Sequence, residues 1–261
     1  MYLFLSDLHL GRGTDAESRA AERDAIAVLG AHEDAVREGT ERGGGGLFLV
    51  GDVFNQFIEY GTLVPKGFVR LQGALAAWTD GGLPATYLVG NRDPWHLDYF
   101  ETELGVRVLG DLAVRLGPYE AYLTHGDGLV ASDWGYNLAK PVLRNRLAYW
   151  LYRSLPPGDW GFRLARWYAL RGDGAPEDPF VRDLRASARR HLATTSADLV
   201  VHGHTHQAEL SAWPEGTYLN PGYFFAERTF ARLDAGGLAL LRWTGAEAEV
   251  LARTEHRAGP V

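Results

Sequence analysis

Five short apolar runs, each closed by Asp, Asn or His and four of them by glycine beside it, set the tightest constraint on how this 261-residue chain can fold. The first, Tyr2-Leu-Phe-Leu5, stops at Asp7 and His9. Leu47-Phe-Leu-Val50 stops at Gly51-Asp52, and the run at 85–89 at Gly90-Asn91-Arg92-Asp93. The run at 121–124 ends in His125-Gly126-Asp127, and that at 198–201 in His202-Gly203-His204-Thr205-His206. Nearly continuous apolar runs are expected of strands covered on both faces by helices. In open α/β sheets, sites form at the carboxyl ends of strands, so five such ends can converge on one crevice. Glycine beside such a polar group lets the chain turn sharply and backbones approach closely.

The intervening segments fit that plan. Residues 17–41 place Ala21, Ala25, Val28, Leu29 and Val36 at helical spacing, which predicts an amphipathic helix with a solvated outer face, broken at Gly43-Gly-Gly-Gly46. A second helix is expected at 64–79 and shorter strands at 106–116. From the end of the fifth motif to Tyr223-Phe-Phe and through the alternating segments 229–233, 238–243 and 247–251, the pattern predicts antiparallel strands forming a second sheet. With 46% hydrophobic residues the chain can bury a full core, which favours one α/β domain over 1–261.

Composition then narrows the function. Cysteine is absent, so disulfides, thiolate metal sites and cysteine nucleophiles are excluded. A net charge of −7 argues against nucleic acid as a partner. Met1 leads directly into the first run without a charged region, so no signal peptide is expected. No apolar run approaches the roughly 18 residues that span a bilayer. A cytoplasmic location is expected, with no obligate protein partner.

Asp7, His9, Asp52, Asn91, His125, His204 and His206 form a donor set of imidazole and oxygen without sulfur, which suits Mn²⁺, Fe²⁺, Zn²⁺ or Co²⁺ better than Ca²⁺. Seven ligands exceed one transition ion and match two ions that share a carboxylate. Two such ions can clamp a phosphoryl group during in-line attack. Arg92 would offer its planar fork of donors to phosphate oxygens.

In that order and spacing, Asp7-x-His9, Gly51-Asp52-x-x-Asn55, Gly90-Asn91-Arg92-Asp93, His125-Gly126-Asp127 and Gly203-His204-Thr205-His206 resemble the calcineurin-like metallophosphoesterase superfamily. Within it the chain is most similar to the family that hydrolyses UDP-2,3-diacylglucosamine in lipid A biosynthesis. Ser6-Asp-Leu-His-Leu10, Arg92 and Asp133-Trp-Gly-Tyr136 carry that closer likeness. The resemblance implies a four-layer α/β/β/α sandwich of two packed mixed sheets flanked by helices. It implies that Asp7, His9, Asp52 and His206 bind one ion, most often Mn²⁺, and that Asp52, Asn91, His125 and His204 bind the other, with Asp52 bridging. It makes Asp52, Asn91 and Arg92 the catalytic residues, and Asn91, Arg92, Asp133, Tyr136 and His204 the substrate contacts. The substrate would be a lipid-linked nucleotide, met by a protein peripherally associated with the inner membrane. Arginine at 92, where many relatives carry histidine, cannot readily protonate a leaving group, which suits cleavage of a phosphoanhydride. Two features depart from the family: Asn55 stands where an acidic residue is usual, and a lysine-rich stretch is replaced by Leu170-Arg-Gly-Asp-Gly-Ala-Pro176.

Some seventy residues separate His125 from the last apolar run, far more than a crossover needs. Tyr149, Trp150, Tyr152, Trp160, Phe162, Trp167 and Tyr168 interleave there with basic residues, giving a local charge of +6 over 140–171. Residues of about 133–190 are therefore expected to form a helical lid that receives a lipid and docks on an anionic membrane. Its plainer alternative is a helical insertion whose tryptophans fill a small core of their own. His32, His96, His191, His202 and His256 are read as structural, and Asp93 and Asp127 as groups that orient ligands or cap turns. The competing activity is a general or cyclic-nucleotide phosphodiesterase or phosphatase. A catalytically silent scaffold would have no need of seven intact ligands.

Overall fold

The computed structural model describes residues 1–129, 145–154, 160 and 178–254. Strands β1 (Tyr2–Leu5), β2 (Gly46–Val50), β3 (Ala85–Leu88) and β4 (Arg107–Leu109) pair in parallel, with Leu5 opposite Leu49 and Val50 opposite Leu88. On the far side of β1 the same sheet continues antiparallel through β10 (Thr229–Asp234), β11 (Gly237–Trp243) and β12 (Ala248–Thr254). The C-terminal alternation thus marks antiparallel strands, but they extend the first sheet instead of founding a second. Both faces of β10 are covered, Phe230 on one and Ala231 and Leu233 on the other, and that is the environment beside β1.

The second sheet is β5 (Asp111–Leu116), β6 (Tyr119–Thr124), β7 (Leu199–Val201), β9 (Gly216–Asn220) and β8 (Glu209–Trp213), in that order. Helices α1 (Asp15–Glu41) and α2 (Val69–Asp80) cover the outer face of the first sheet, burying Ala21, Ala25, Val28, Leu71 and Leu75 against Leu3 and Leu5. Between the sheets lie Phe4, Phe48, Val50, Leu123, Val201 and Leu240. Behind the second sheet, α5 (Asp178–Thr194) packs Ala188 and Leu192 on Val200 and Tyr218. Four layers result, in the order α/β/β/α. The apolar runs are continuous because each strand faces helices on one side and the other sheet on its other side, not helices on both.

Helix α1 starts at a capping box in which Thr14 accepts from Glu17 N–H and the Glu17 carboxylate accepts from Thr14 N–H. Helix α2 starts five residues later than its periodicity suggests, after Phe68 in the left-handed region. The Tyr223-Phe-Phe triplet is not a strand: Phe224–Glu227 form the single-turn helix α6. Most of the expected lid, 133–190, lies outside the described residues. Its last part, 178–190, belongs to α5 on the second sheet. Helix α4 (Arg146–Ser154), which follows the single-turn α3 (Tyr99–Thr102), is anchored by the Tyr149 hydroxyl, which donates to the Glu59 and Trp95 carbonyls, and by the Tyr149 ring stacked 5.3 Å from Trp95.

Candidate metal centre

The loops that leave β1 and β2 are tied together, Asp7 N–H to Gly51 O at 3.1 Å and His9 N–H to Asp52 O at 2.9 Å, so Asp7, His9 and Asp52 emerge side by side. The second sheet delivers the histidines. His125 follows β6, His204 and His206 follow β7, and Gly203 N–H donates to His125 O at 3.0 Å. The crevice is therefore not the edge of one open sheet; it lies where three strand ends of the first sheet meet two of the second.

Two groups of three result, Asp7 with His9 and His206, and Asp52 with His125 and His204, each with its donor atoms within 4.8 Å of one another. In the first, His9 Nε2 and His206 Nε2 are 2.9 Å apart and lie 3.5 and 3.3 Å from Asp7 Oδ1. Asp52 Oδ2 is 3.5 Å from His125 Nε2 and 3.7 Å from His9 Nε2, and so stands between the groups.

The donors fit divalent cations. Asp7 Oδ1, Asn91 Oδ1 and His125 Nε2 are buried with no hydrogen-bond partner, an arrangement that costs stability unless a cation takes the lone pairs. Groups behind them fix their orientation. The Val50 carbonyl lies 2.8 Å from His125 Nδ1, which places the proton there and leaves Nε2 as a donor of electrons. Asp7 Oδ2 lies 2.5 Å from the Ser6 hydroxyl and accepts from His204 N–H at 3.0 Å, while Asp52 Oδ1 accepts from Arg92 N–H at 2.9 Å. Burial pushes the Asp7 carboxyl up, but the His206 and His9 imidazoles beside it outweigh that and hold the group well below the usual range. Asp52 is likewise raised by burial and lowered by more through the adjacent His125 imidazole. Both carboxylates are anions, as ligands must be.

Six of the seven expected ligands thus meet in the crevice. Asn91 borders it, because Gly90 approaches so closely that a Cβ there would lie 2.0 Å from Asp52 Oδ1. Arg92 is half-buried, and Asp133 and Tyr136 lie outside the described residues. Asp93 accepts from Gly90 N–H, Phe54 N–H and the Tyr87 hydroxyl, which pins the Asn91 loop; burial and the Asp52 charge push its carboxyl up to about 7. His202 is buried edge-on to Tyr218, and its pKa is driven down to about 3 by burial. Three supporting residues escape sequence reasoning. Ser6 holds Asp7. Asn220 donates to Gly203 O at 2.9 Å and Thr205 Oγ1 at 2.8 Å, and Tyr223 stacks on His206 at 4.2 Å and 4°. Ser6 sits within the first motif, so adjacency alone could have flagged it; Tyr223 has no local signal.

Two carboxylate–imidazole groups joined through one aspartate, at the carboxyl ends of two packed sheets, define a centre of the metallophosphoesterase kind. No protein-family model matches the chain. Among curated proteins, the UDP-2,3-diacylglucosamine hydrolase of Pseudomonas putida is 30% identical over 213 residues, covering 79% of this chain and 82% of that protein. Its namesake in Porphyromonas gingivalis is 32% identical over 170 residues, 64% of this chain and 62% of the relative's length. That of Vibrio vulnificus is 24% identical over 249 residues, 91% and 96%. Yfce, a phosphoesterase from E. coli, overlays with a TM-score of 0.46 at 15% identity, covering 97% of this chain and 98% of that one. The chain belongs to the UDP-2,3-diacylglucosamine hydrolase family.

Proposed function

We propose that the chain hydrolyses UDP-2,3-diacylglucosamine, the compound for which its relatives are named, into UMP and 2,3-diacylglucosamine 1-phosphate. The observation that carries this reading is Asp52 standing between two ligand groups in which Asp7 Oδ1 and His125 Nε2 are buried without a hydrogen-bond partner. Asp7, His9, Asp52 and His206 would hold one ion, and Asp52, Asn91, His125 and His204 the other. Divalent ions, Mn²⁺ first and Fe²⁺, Co²⁺ or Zn²⁺ as the others these donors accept, would supply Lewis acidity toward phosphoryl oxygens and acidify the attacking water. Arg92 and Asn91 would grip those oxygens and resist their movement as charge develops. A guanidinium keeps its proton, so the leaving phosphate departs without an acid, which an anhydride permits. The test incubates metal-reconstituted protein with UDP-2,3-diacylglucosamine and, in parallel, with an artificial phosphodiester. UMP release at a far higher kcat/KM than diester cleavage is expected; the reverse ranking would make the protein a general phosphodiesterase.

The lid belongs to the same proposal. Residues of about 133–190 include a cap that receives the acyl chains and rests on the inner membrane, with Asp133 and Tyr136 at its substrate side. Support comes from α4, which turns Leu147, Trp150 and Leu151 outward, and from Trp160, which is 74% exposed. Among the described residues no helix is long and apolar enough to cross a membrane. Flotation with anionic liposomes should carry the protein upward. No binding, together with full activity of Trp150→Ala on lipid substrate, would refute the cap.

A further inference from the structure

Beyond the metal centre, the loops after β1 and β2 run side by side and then diverge. Leu10 bridges Phe54 in parallel, and Asn55 N–H donates to Leu10 O at 2.9 Å. Where they part, a cavity of about 500 Å³ opens between these loops, the first turns of α1 and the segment leading into α2. It begins one residue beyond His9 and two beyond Asp52. One side of it is apolar and aromatic, with Leu10, Phe54 and Phe57 buried and Phe68 half-buried, and the rest is polar. Phe68 is held at φ +50°, directly after Gly67 at +123°. A bulky residue in that region costs on the order of 1–3 kcal/mol, and such outliers cluster where ligands are clamped.

One wall residue is polar and unsatisfied. Asn55 is 4% exposed, and its Oδ1 is buried with no hydrogen-bond partner. A buried acceptor left without a donor costs roughly 1–3 kcal/mol, and a turn of the Asn55 amide toward the cavity it lines would let a ligand N–H recover it. The mouth carries Arg19, Lys66 and Arg70, all exposed, and Asp15; the Glu22 carboxylate is already engaged by the Arg70 and Leu71 N–H groups.

We propose that this cavity is a nucleobase subsite, which takes a uracil ring while the attached phosphate lies at the metal centre. The inference rests on the function proposed above and adds where the nucleotide end binds. Uracil presents one N–H between two carbonyls, and an asparagine amide offers an acceptor next to a donor, so two hydrogen bonds can form. Phe68 supplies a ring face for stacking, which every base can use. A hydrocarbon chain gains nothing from Asn55 and would meet a cationic mouth, so an acyl group suits the cavity less well.

Calorimetry on the metal-reconstituted full chain separates the alternatives. The probes are UMP, ribose 5-phosphate and 2,3-diacylglucosamine 1-phosphate, with Asn55→Leu and Phe68→Ala as independent variants and melting curves as the check on folding. The base should tighten binding at least tenfold, read as UMP against ribose 5-phosphate, and either variant should reduce that ratio below threefold. The rate on UDP-2,3-diacylglucosamine relative to a base-free diester should fall tenfold in parallel. Equal binding of UMP and ribose 5-phosphate, or an unchanged ratio in both variants, overturns the proposal. Loss of lipid-product binding with UMP unaffected also overturns it and makes an acyl chain the occupant. Base-dependent UMP binding without UMP release from the lipid substrate refutes the proposed function and leaves the subsite standing. Release with variants that bind UMP as the parent does refutes the subsite alone.

Discussion

Asp7, His9, Asp52, His204 and His206 all have positive φ, between +42° and +68°. Non-glycine residues rarely enter this region, and each costs about 1–3 kcal/mol there. The turns it makes end the strands at the crevice, where Asp7 and His9 reach the same cluster. Residue types and flanking glycines make these ligands readable in the sequence; their strain, and the ring of Tyr223 behind His206, are not, because both depend on contacts made only in the fold. A test follows from the strain. His206→Gly should abolish binding at the first ion while leaving the metal-free fold about as stable as the parent, within ~1 kcal/mol in urea titrations with EDTA. Loss of the Tyr223 stack, worth roughly 0.5–1.5 kcal/mol, is offset by relief of the backbone. A drop of about 3 kcal/mol would mean that φ +57° carries no strain. Asp52→Ala, which removes the shared ligand, should lower kcat by roughly 10³-fold or more and empty both sites, read by metal analysis beside UMP release.

Elements divide by how local their signals are. Helix α1 is legible because its apolar spacing, the Thr14-x-x-Glu17 box and the terminal glycines are all within its own sequence. The start of α2 is not, because its cap comes from elsewhere. Phe68 offers no capping side chain, and the Glu22 carboxylate, 48 residues before Arg70, accepts from Arg70 and Leu71 N–H at 3.1 Å. Glu22→Ala should therefore destabilise the protein by about 1–2 kcal/mol, with Glu22→Gln recovering part of it, measured by chemical denaturation. Equal stability of all three would show that solvent caps α2 instead. Loop glycines behave similarly. Gly90 reads as a turn residue, yet its real constraint is Asp52, whose backbone nitrogen would lie 2.5 Å and Oδ1 2.0 Å from an added Cβ. Gly90→Ala must displace the shared carboxylate, so it should bind fewer than two ions per chain and lose activity with them.

Across the whole molecule, a period of two identifies a strand but not its neighbours. That is why β10, β11 and β12 are predictable as strands while their sheet is not, whereas β8 and β9 do pair antiparallel in the second sheet. Packing between layers decides the assignment, and it also fixes the ionisation of groups trapped inside. His96 lies among aromatic rings that join the loop after β2 to β3 and α3, 4.9 Å from Phe57, 4.8 Å from Tyr87 and 5.0 Å from Phe100. Burial pushes its pKa down to about 3 from an ordinary 6.5. Between those values the unfolded chain holds a proton that the folded one refuses. His96 thus contributes its full stability above pH 6.5 and loses it progressively as pH falls toward 3. At about 1.4 kcal/mol per unit, reduced for partial solvent access, the loss is on the order of 2–4 kcal/mol. His96→Phe keeps the ring contacts and cannot take a proton. Its stability relative to the parent should be constant above pH 6.5 and rise steadily below it, in denaturant titrations run at successive pH values. Parallel curves for the two proteins down to pH 4 would mean that protonated His96 is tolerated inside the fold, and that the aromatic cluster opens to water without the sheets coming apart.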